Sequence, residues 1–108
     1  MRIFLVDDEA LICRYIIRCI QEAKGNYEIV GSATSAARAL TQIEDLQPDV
    51  LFTDIRMPIM DGMELLKKLN QNHVLPYTVV LSAYDDFSYA KEAMRYGAKA
   101  YLLKPLNS

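Results

Sequence analysis

Apolar residues along this chain follow two alternating rhythms. Residues 2–6 (Arg-Ile-Phe-Leu-Val), 49–53 (Asp-Val-Leu-Phe-Thr), 77–81 (Tyr-Thr-Val-Val-Leu) and 100–103 (Ala-Tyr-Leu-Leu) are short, nearly continuous in hydrophobicity and rich in β-branched or aromatic side chains. Parallel strands covered on both faces have this character. Between them the apolar positions take the helical period: Ile12, Ile16, Cys19 and Ile20, then Leu40 and Ile43, then Leu65, Leu66 and Leu69, then Phe87, Ala90 and Met94. A further extended run over residues 27–33 precedes Ser35, so the expected order alternates five strands with four helices. Ser35 is placed to cap a helix over residues 36–46, and Asp85 or Asp86 to cap one running through Tyr96, because a short oxygen-bearing side chain accepts from the free amides of a first turn. Gly97 supplies the left-handed stop. Strand and helix in alternation predict an α/β domain with one parallel sheet.

This architecture gives meaning to five positions. Asp7 and Asp8, Asp54, Ser82 and Lys104 each fall at the carboxyl end of a predicted strand, and in open α/β sheets the ligand crevice lies beyond those ends. Three carboxylates, a hydroxyl and an ammonium are therefore expected to share one site. Two carboxylates about 5 Å apart repel by roughly 3 kcal/mol at an effective dielectric of 20, so such a site needs a cation or a bound proton. Oxygen ligands without an accompanying His or Cys suit a hard divalent ion, Mg²⁺ first, better than zinc. His73, the one histidine, precedes Leu75-Pro76 and reads as a solvated loop residue. A metal and an ammonium can neutralise phosphoryl oxygens while a carboxylate attacks phosphorus in line, which is the equipment for phosphoryl transfer to an aspartate.

The segments Val6-Asp7-Asp8-Glu9, Thr53-Asp54-Ile55-Arg56-Met57-Pro58-Ile59-Met60-Asp61-Gly62, Leu81-Ser82-Ala83-Tyr84 and Tyr101-Leu102-Leu103-Lys104-Pro105 together resemble the receiver domain of two-component response regulators. The resemblance runs through the whole chain in register. It implies a flavodoxin-like, doubly wound sheet in the order 2-1-3-4-5. It also implies a signalling domain, not an enzyme, that promotes only its own phosphorylation and dephosphorylation. Asp54 would be the phosphoacceptor, and Asp8, Asp54 and the backbone carbonyl of Arg56 would ligate Mg²⁺, with Asp7 acting mainly through a metal-bound water. Ser82 would follow the phosphoryl group, Tyr101 would be the aromatic switch, and Lys104 would pair with the phosphate, fixed by a cis bond to Pro105. The partners implied are a sensor histidine kinase and a second copy through the face of the fourth helix and fifth strand. The stretch from Ser82 to Met94, with Tyr96-Gly-Ala-Lys-Ala-Tyr-Leu-Leu-Lys-Pro105, is most similar to receivers that precede an AraC-type helix-turn-helix output domain. DNA would be reached only through that domain, which lies outside this sequence. The residues two beyond the acceptor and two beyond the hydroxyl, Arg56 and Tyr84, are large and stand where hydrolysis of a phosphoaspartate is commonly tuned. Receivers close with a fifth helix, which would begin here at Asn107 or Ser108, so the chain reads as truncated.

Composition narrows the alternatives. At 108 residues the chain suits one domain with a radius of gyration of about 13 Å. A formal charge of −2 gives no basic footprint for nucleic acid. No apolar run approaches the roughly 20 residues of a membrane-spanning helix, and a charged residue follows Met1, so a cytoplasmic location without a signal peptide is expected. Cys13 and Cys19 lie about 9 Å apart along one helix, beyond the roughly 7 Å Cα limit for a bridge, and are expected to be reduced packing residues. Met57, Met60 and Met63 read as adaptable packing around the loop after Asp54. A haloacid-dehalogenase-type phosphatase needs a second carboxylate two positions after its aspartate, where Arg56 stands. A nucleotide binder needs a glycine-rich phosphate loop, and neither G-x-G-x-x-G nor G-x-x-x-x-G-K occurs. The remaining rival is a receiver-like interaction module that works without phosphorylation.

Overall fold

The computed structural model describes residues 1–82 and 87–104. Among them the chain forms β1 (Arg2–Val6), α1 (Ala10–Glu22), β2 (Glu28–Ala33), α2 (Ala36–Leu46), β3 (Val50–Asp54), α3 (Gly62–Gln71), β4 (Tyr77–Ser82), α4 (Phe87–Arg95) and β5 (Ala100–Leu103). All pairings are parallel and the sheet order is β2-β1-β3-β4-β5. The Cα radius of gyration is 12.7 Å, as expected for a chain of this length folded around one sheet.

Alternation along the strands divides the core. Phe4, Val6 and Leu51 point to one face, where Ala36, Ala39 and Ile43 of α2 and Leu65 and Leu69 of α3 cover them. Val80 continues that face toward β5 and packs with Leu66 of α3 and Ala93 of α4. Leu5, Val79 and Leu81 point the other way, against Ile16 of α1. The near-continuous hydrophobicity of the strands follows, since neither side of the sheet's centre meets water.

The helix ends follow the capping chemistry. Ser35 Oγ accepts from Arg38 N–H at 3.3 Å, and Asp61 Oδ1 accepts from Glu64 N–H at 3.0 Å. Gly97 has φ +108 just after α4, a conformation that L side chains avoid. The possible caps Asp85 and Asp86, the expected fifth-helix start at Asn107 or Ser108, Tyr84 and the Pro105 bond lie outside the described residues.

Three expectations about side-chain facing change. Cys13 is buried, but Cys19 is exposed, because it lines an open groove with Ile3, Val50 and Phe52 of the sheet. On α4, Met94 is 43% exposed and the buried residue is Ala93. A small residue lets the helix approach closely, and a search for large apolar positions passes over it. The third and fourth strands each extend one residue further than predicted, through Asp54 and Ser82, so these two polar groups are held by the sheet itself. His73 is exposed in a turn with φ +57, and Met57 and Met63 are buried while Met60 packs at the core's edge.

Candidate functional site

β1 and β3 are adjacent, with Val6 opposite Thr53, while β3 and β4 pair through Asp54 and Leu81. The residues that end β1, β3 and β4 therefore converge on one spot at the carboxyl edge of the sheet. Lys104 N–H donates to Ser82 carbonyl at 2.8 Å, which draws the end of β5 to the end of β4 and turns the lysine inward.

Lys104 Nζ sits 2.9 Å from Asp7 Oδ2, 3.1 Å from Asp54 Oδ2 and 3.4 Å from Glu9 Oε1. Asp7, Asp54 and Lys104 are 2%, 5% and 6% exposed, so the first two contacts lie within the protein, whereas Glu9 stands in solvent. Asp54 Oδ1 accepts from Ile55 N–H at 2.8 Å, and Asp7 Oδ1 accepts from Glu9 N–H at 2.9 Å. These bonds fix both carboxylates and aim their Oδ2 atoms at the lysine. Ser82 is fully buried at the end of β4. Asp8 is exposed on the rim.

Burial, reinforced by the charge of Asp7, pushes the Asp54 carboxyl up to about 6 in spite of Lys104. Burial alone would lower Lys104, but its short contact with Asp7 and the charge of Asp54 outweigh it and hold the ammonium above its ordinary value. Cys13, whose thiol donates to the Asp7 carbonyl at 3.6 Å, is pushed up by burial first and by Asp7 second, so it is a packing thiol and not a nucleophile.

Two features of the donor set suit a hard cation. Oxygens of Asp7, Asp8 and Glu9 lie within 4.8 Å of one another, the spacing that oxygen ligands take around one divalent ion. Asp7 Oδ2, although in ion-pair contact with Lys104, has no aligned hydrogen bond among the described residues. A buried carboxylate oxygen left this way has lone pairs free for a metal or a metal-held water. Asp7, Glu9 and Asp54 contact the one ammonium of Lys104 and Asp8 adds a fourth carboxylate beside them, and the surplus is what a divalent cation would neutralise.

Glu9, in sequence only a part of the Val6–Glu9 motif, adds its carboxylate to the cluster. Gly62 is a second addition. A Cβ there would stand 2.1 Å from the Asp54 carbonyl oxygen and 2.9 Å from Ile55 Cα, and Gly62 N–H donates to Ile55 carbonyl at 2.8 Å. The start of α3 thus packs directly on the backbone that carries Asp54. Arg56 is exposed, and its guanidinium donates to Tyr89 Oη and lies 4.7 Å from that ring's centroid. Tyr101 lies half-buried on β5 and packs against Ile55, Leu66 and Val80.

The family model described as the response regulator receiver domain matches residues 3–108, and the chain belongs to that family: it is the receiver domain of a two-component response regulator. It is 41% identical over 106 residues to the transcriptional regulatory protein YesN of Bacillus subtilis, covering 98% of this chain and 29% of that protein. Among solved structures it is similar to the receiver domain of NarL from Mycobacterium tuberculosis, at 30% identity and TM-score 0.90, over 98% of this chain and 85% of the other. The receiver domain of AraT, a response regulator from Geobacillus stearothermophilus, is 38% identical with TM-score 0.79, over 96% and 81% of the two chains. This chain thus spans under a third of YesN's length. Receiver domains bind Mg²⁺ at an acidic pocket and interact with sensor kinases. No described helix is long and apolar enough to cross a membrane.

Proposed function

We propose that Asp54 is the phosphoacceptor of this domain and that Asp7, Asp8, Asp54 and the Arg56 carbonyl hold Mg²⁺ beside it. The observation that carries the reading is the buried Asp54 carboxylate, tied by Oδ1 to Ile55 N–H and facing Lys104 through Oδ2. When bound, the metal supplies charge neutralisation and orientation to phosphoryl oxygens. The chain's own residues do the rest. Oδ2 of ionised Asp54 forms the new P–O bond as the P–N bond of a phosphohistidine breaks, the electron pair leaving on the imidazole. Lys104, already beside Oδ2, balances charge on the phosphoryl group. Ser82 offers a hydroxyl at the neighbouring strand end to a phosphoryl oxygen.

The donor in this reading is a sensor histidine kinase. Ser82 and Tyr101 carry the response to the face of α4 and β5, where a second copy of the domain docks: a new acceptor at Ser82 draws its loop inward and Tyr101 fills the space vacated. The output is transcriptional, through a DNA-binding domain of AraC type elsewhere in the full protein, and the domain works in the cytoplasm without serving as an enzyme for other substrates. Similarity to proteins named as transcriptional regulators supports this assignment.

Incubation with a small-molecule phosphodonor and Mg²⁺ tests the reading. Intact mass should rise by one phosphate, labile to base and hydroxylamine. Equal labelling of Asp54→Ala would show that another residue is the acceptor, and no labelling of wild type under any donor would favour the phosphorylation-independent module.

A further inference from the structure

α4 is lightly anchored for a helix that flanks the site. Among its described side chains Ala93 alone is fully buried, whereas α3 buries Met63, Leu65, Leu66 and Leu69. Two cation–aromatic clamps compensate. Near the site, Arg56 donates to Tyr89 Oη and lies over its ring, 4.7 Å from the centroid. At the far end, Lys67 of α3 lies 4.6 Å from the centroid of the Tyr96 ring.

The two clamps hold different things. Lys67 belongs to the middle of a well-packed helix. Arg56 belongs to the loop that leaves Asp54, and a cavity of about 360 Å³, bordered by Met57, Met63, Asp61 and Glu92, separates that loop from α4. The Arg56–Tyr89 contact spans this cleft outside the buried cluster that holds Ile55 and Ala93, so it is the tie that acts on the Arg56 side chain itself. Along the chain, α4 also leads back through residues 83–86 to Ser82. Asp54 therefore communicates with α4 by a path that does not use the hydroxyl.

We infer that Tyr89 is a positioning residue: by holding the Arg56 side chain over α4 it sets the Arg56 backbone at the acidic site and ties the site to α4. This rests on the assignment of the Arg56 carbonyl as a metal ligand. Coupling between two sites is reciprocal. A change at the Arg56 backbone on ion binding pulls on α4, and loosening Tyr89 weakens ion binding by the same factor.

Three variants decide the matter. Tyr89→Leu removes ring and hydroxyl, Tyr89→Phe keeps the ring, and Tyr96→Leu loosens α4 without touching Arg56. From the strength of an exposed cation–π contact, Mg²⁺ affinity should fall about two- to fivefold in Tyr89→Leu, stay closer to wild type in Tyr89→Phe and be unchanged in Tyr96→Leu. In metal-free protein, amide hydrogen exchange of Arg56 and Met57 should be faster in Tyr89→Leu than in Tyr96→Leu. Equal exchange in those two variants, or equal Mg²⁺ affinity in them, would reduce Tyr89 to ordinary helix packing and overturn the inference. If wild type binds no Mg²⁺, the metal assignment fails while the exchange comparison still decides whether Tyr89 positions Arg56.

Discussion

Replacing Asp54 with Asn should make the metal-free domain more stable at pH 7. The carboxyl is 5% exposed, and burial together with Asp7 raises it from 3.8 to about 6 even with Lys104 alongside. An acid raised in the folded state binds its proton more tightly there than in the unfolded chain. Stability therefore falls as pH rises from about 4 to about 6 and is level above that. The rise from 3.8 to about 6, at about 1.4 kcal/mol for each pH unit, is about 3 kcal/mol carried by the folded domain at neutral pH. Asn keeps the shape of the protonated acid and leaves Ile55 N–H its acceptor, so most of that energy should return.

Urea unfolding in EDTA, followed by far-UV circular dichroism, reads the effect. Small domains lose about 1–3 kcal/mol per molar urea, so the Asp54→Asn midpoint should lie about 1–3 M above wild type at pH 7. The gap should close at pH 4, where wild-type Asp54 binds its proton. An Asp54→Asn midpoint at or below wild type at pH 7 would mean that the contact with Lys104 outweighs desolvation, and a gap independent of pH would remove ionisation from the explanation.

The other expectations use the same geometry. Lys104→Met should cost up to about 3–5 kcal/mol by leaving two buried carboxylates unpaired, with part regained as pH falls and Asp54 takes a proton, at a higher pH than in wild type because Lys104 no longer lowers its pKa; a pH-independent loss would point to packing. Asp8→Asn should weaken Mg²⁺ binding more than Ser82→Ala does, since only the former removes an anionic ligand, and tyrosine fluorescence or calorimetry can rank them. The initial rate of Asp54 labelling should fall as pH drops through about 6, at a lower midpoint when Mg²⁺ is saturating; a rate flat to pH 5 without saturating metal would contradict the raised pKa. Gly62→Ala should cost about 1–3 kcal/mol because its methyl would meet the Asp54 carbonyl, and a thermal melt equal to wild type would refute that.

Which parts of this molecule were legible in the chain follows from what each part depends on. Strands buried on both faces announce themselves locally, and sheet topology then gathers their ends. That is why Asp7, Asp54 and Lys104, which stand at the ends of three different strands, can be placed together from the chain alone. The strand order and the residue roles came from resemblance, because periodicity says nothing about which strand neighbours which. Helix facing was less secure. α4 buries Ala93 and exposes Met94, and no scale of hydrophobicity ranks those two correctly when the deciding factor is how closely a backbone must approach. The Arg56–Tyr89 clamp left no sequence signal, since it joins residues 33 positions apart through a side chain that in isolation reads as solvated charge.

The least legible feature is the balance of charge, and it bears most on the switch. Sequence supplies the four carboxylates and the ammonium, but it takes the burial of Asp54 beside Asp7 to push its carboxyl up to about 6. A site in that condition is easily shifted. A divalent ion beside Asp7 and Asp8 would lower the pKa of Asp54 and ready it as a nucleophile. Esterification by a phosphoryl group would then move negative charge outward from the buried carboxylate to oxygens that Lys104 can reach. In the proposed phosphorylated state the repulsion between the buried Asp54 oxygens and Asp7 would be eased while the added phosphoryl charge would need Lys104 and the metal, and that redistribution would bias the packing around Ser82 and α4.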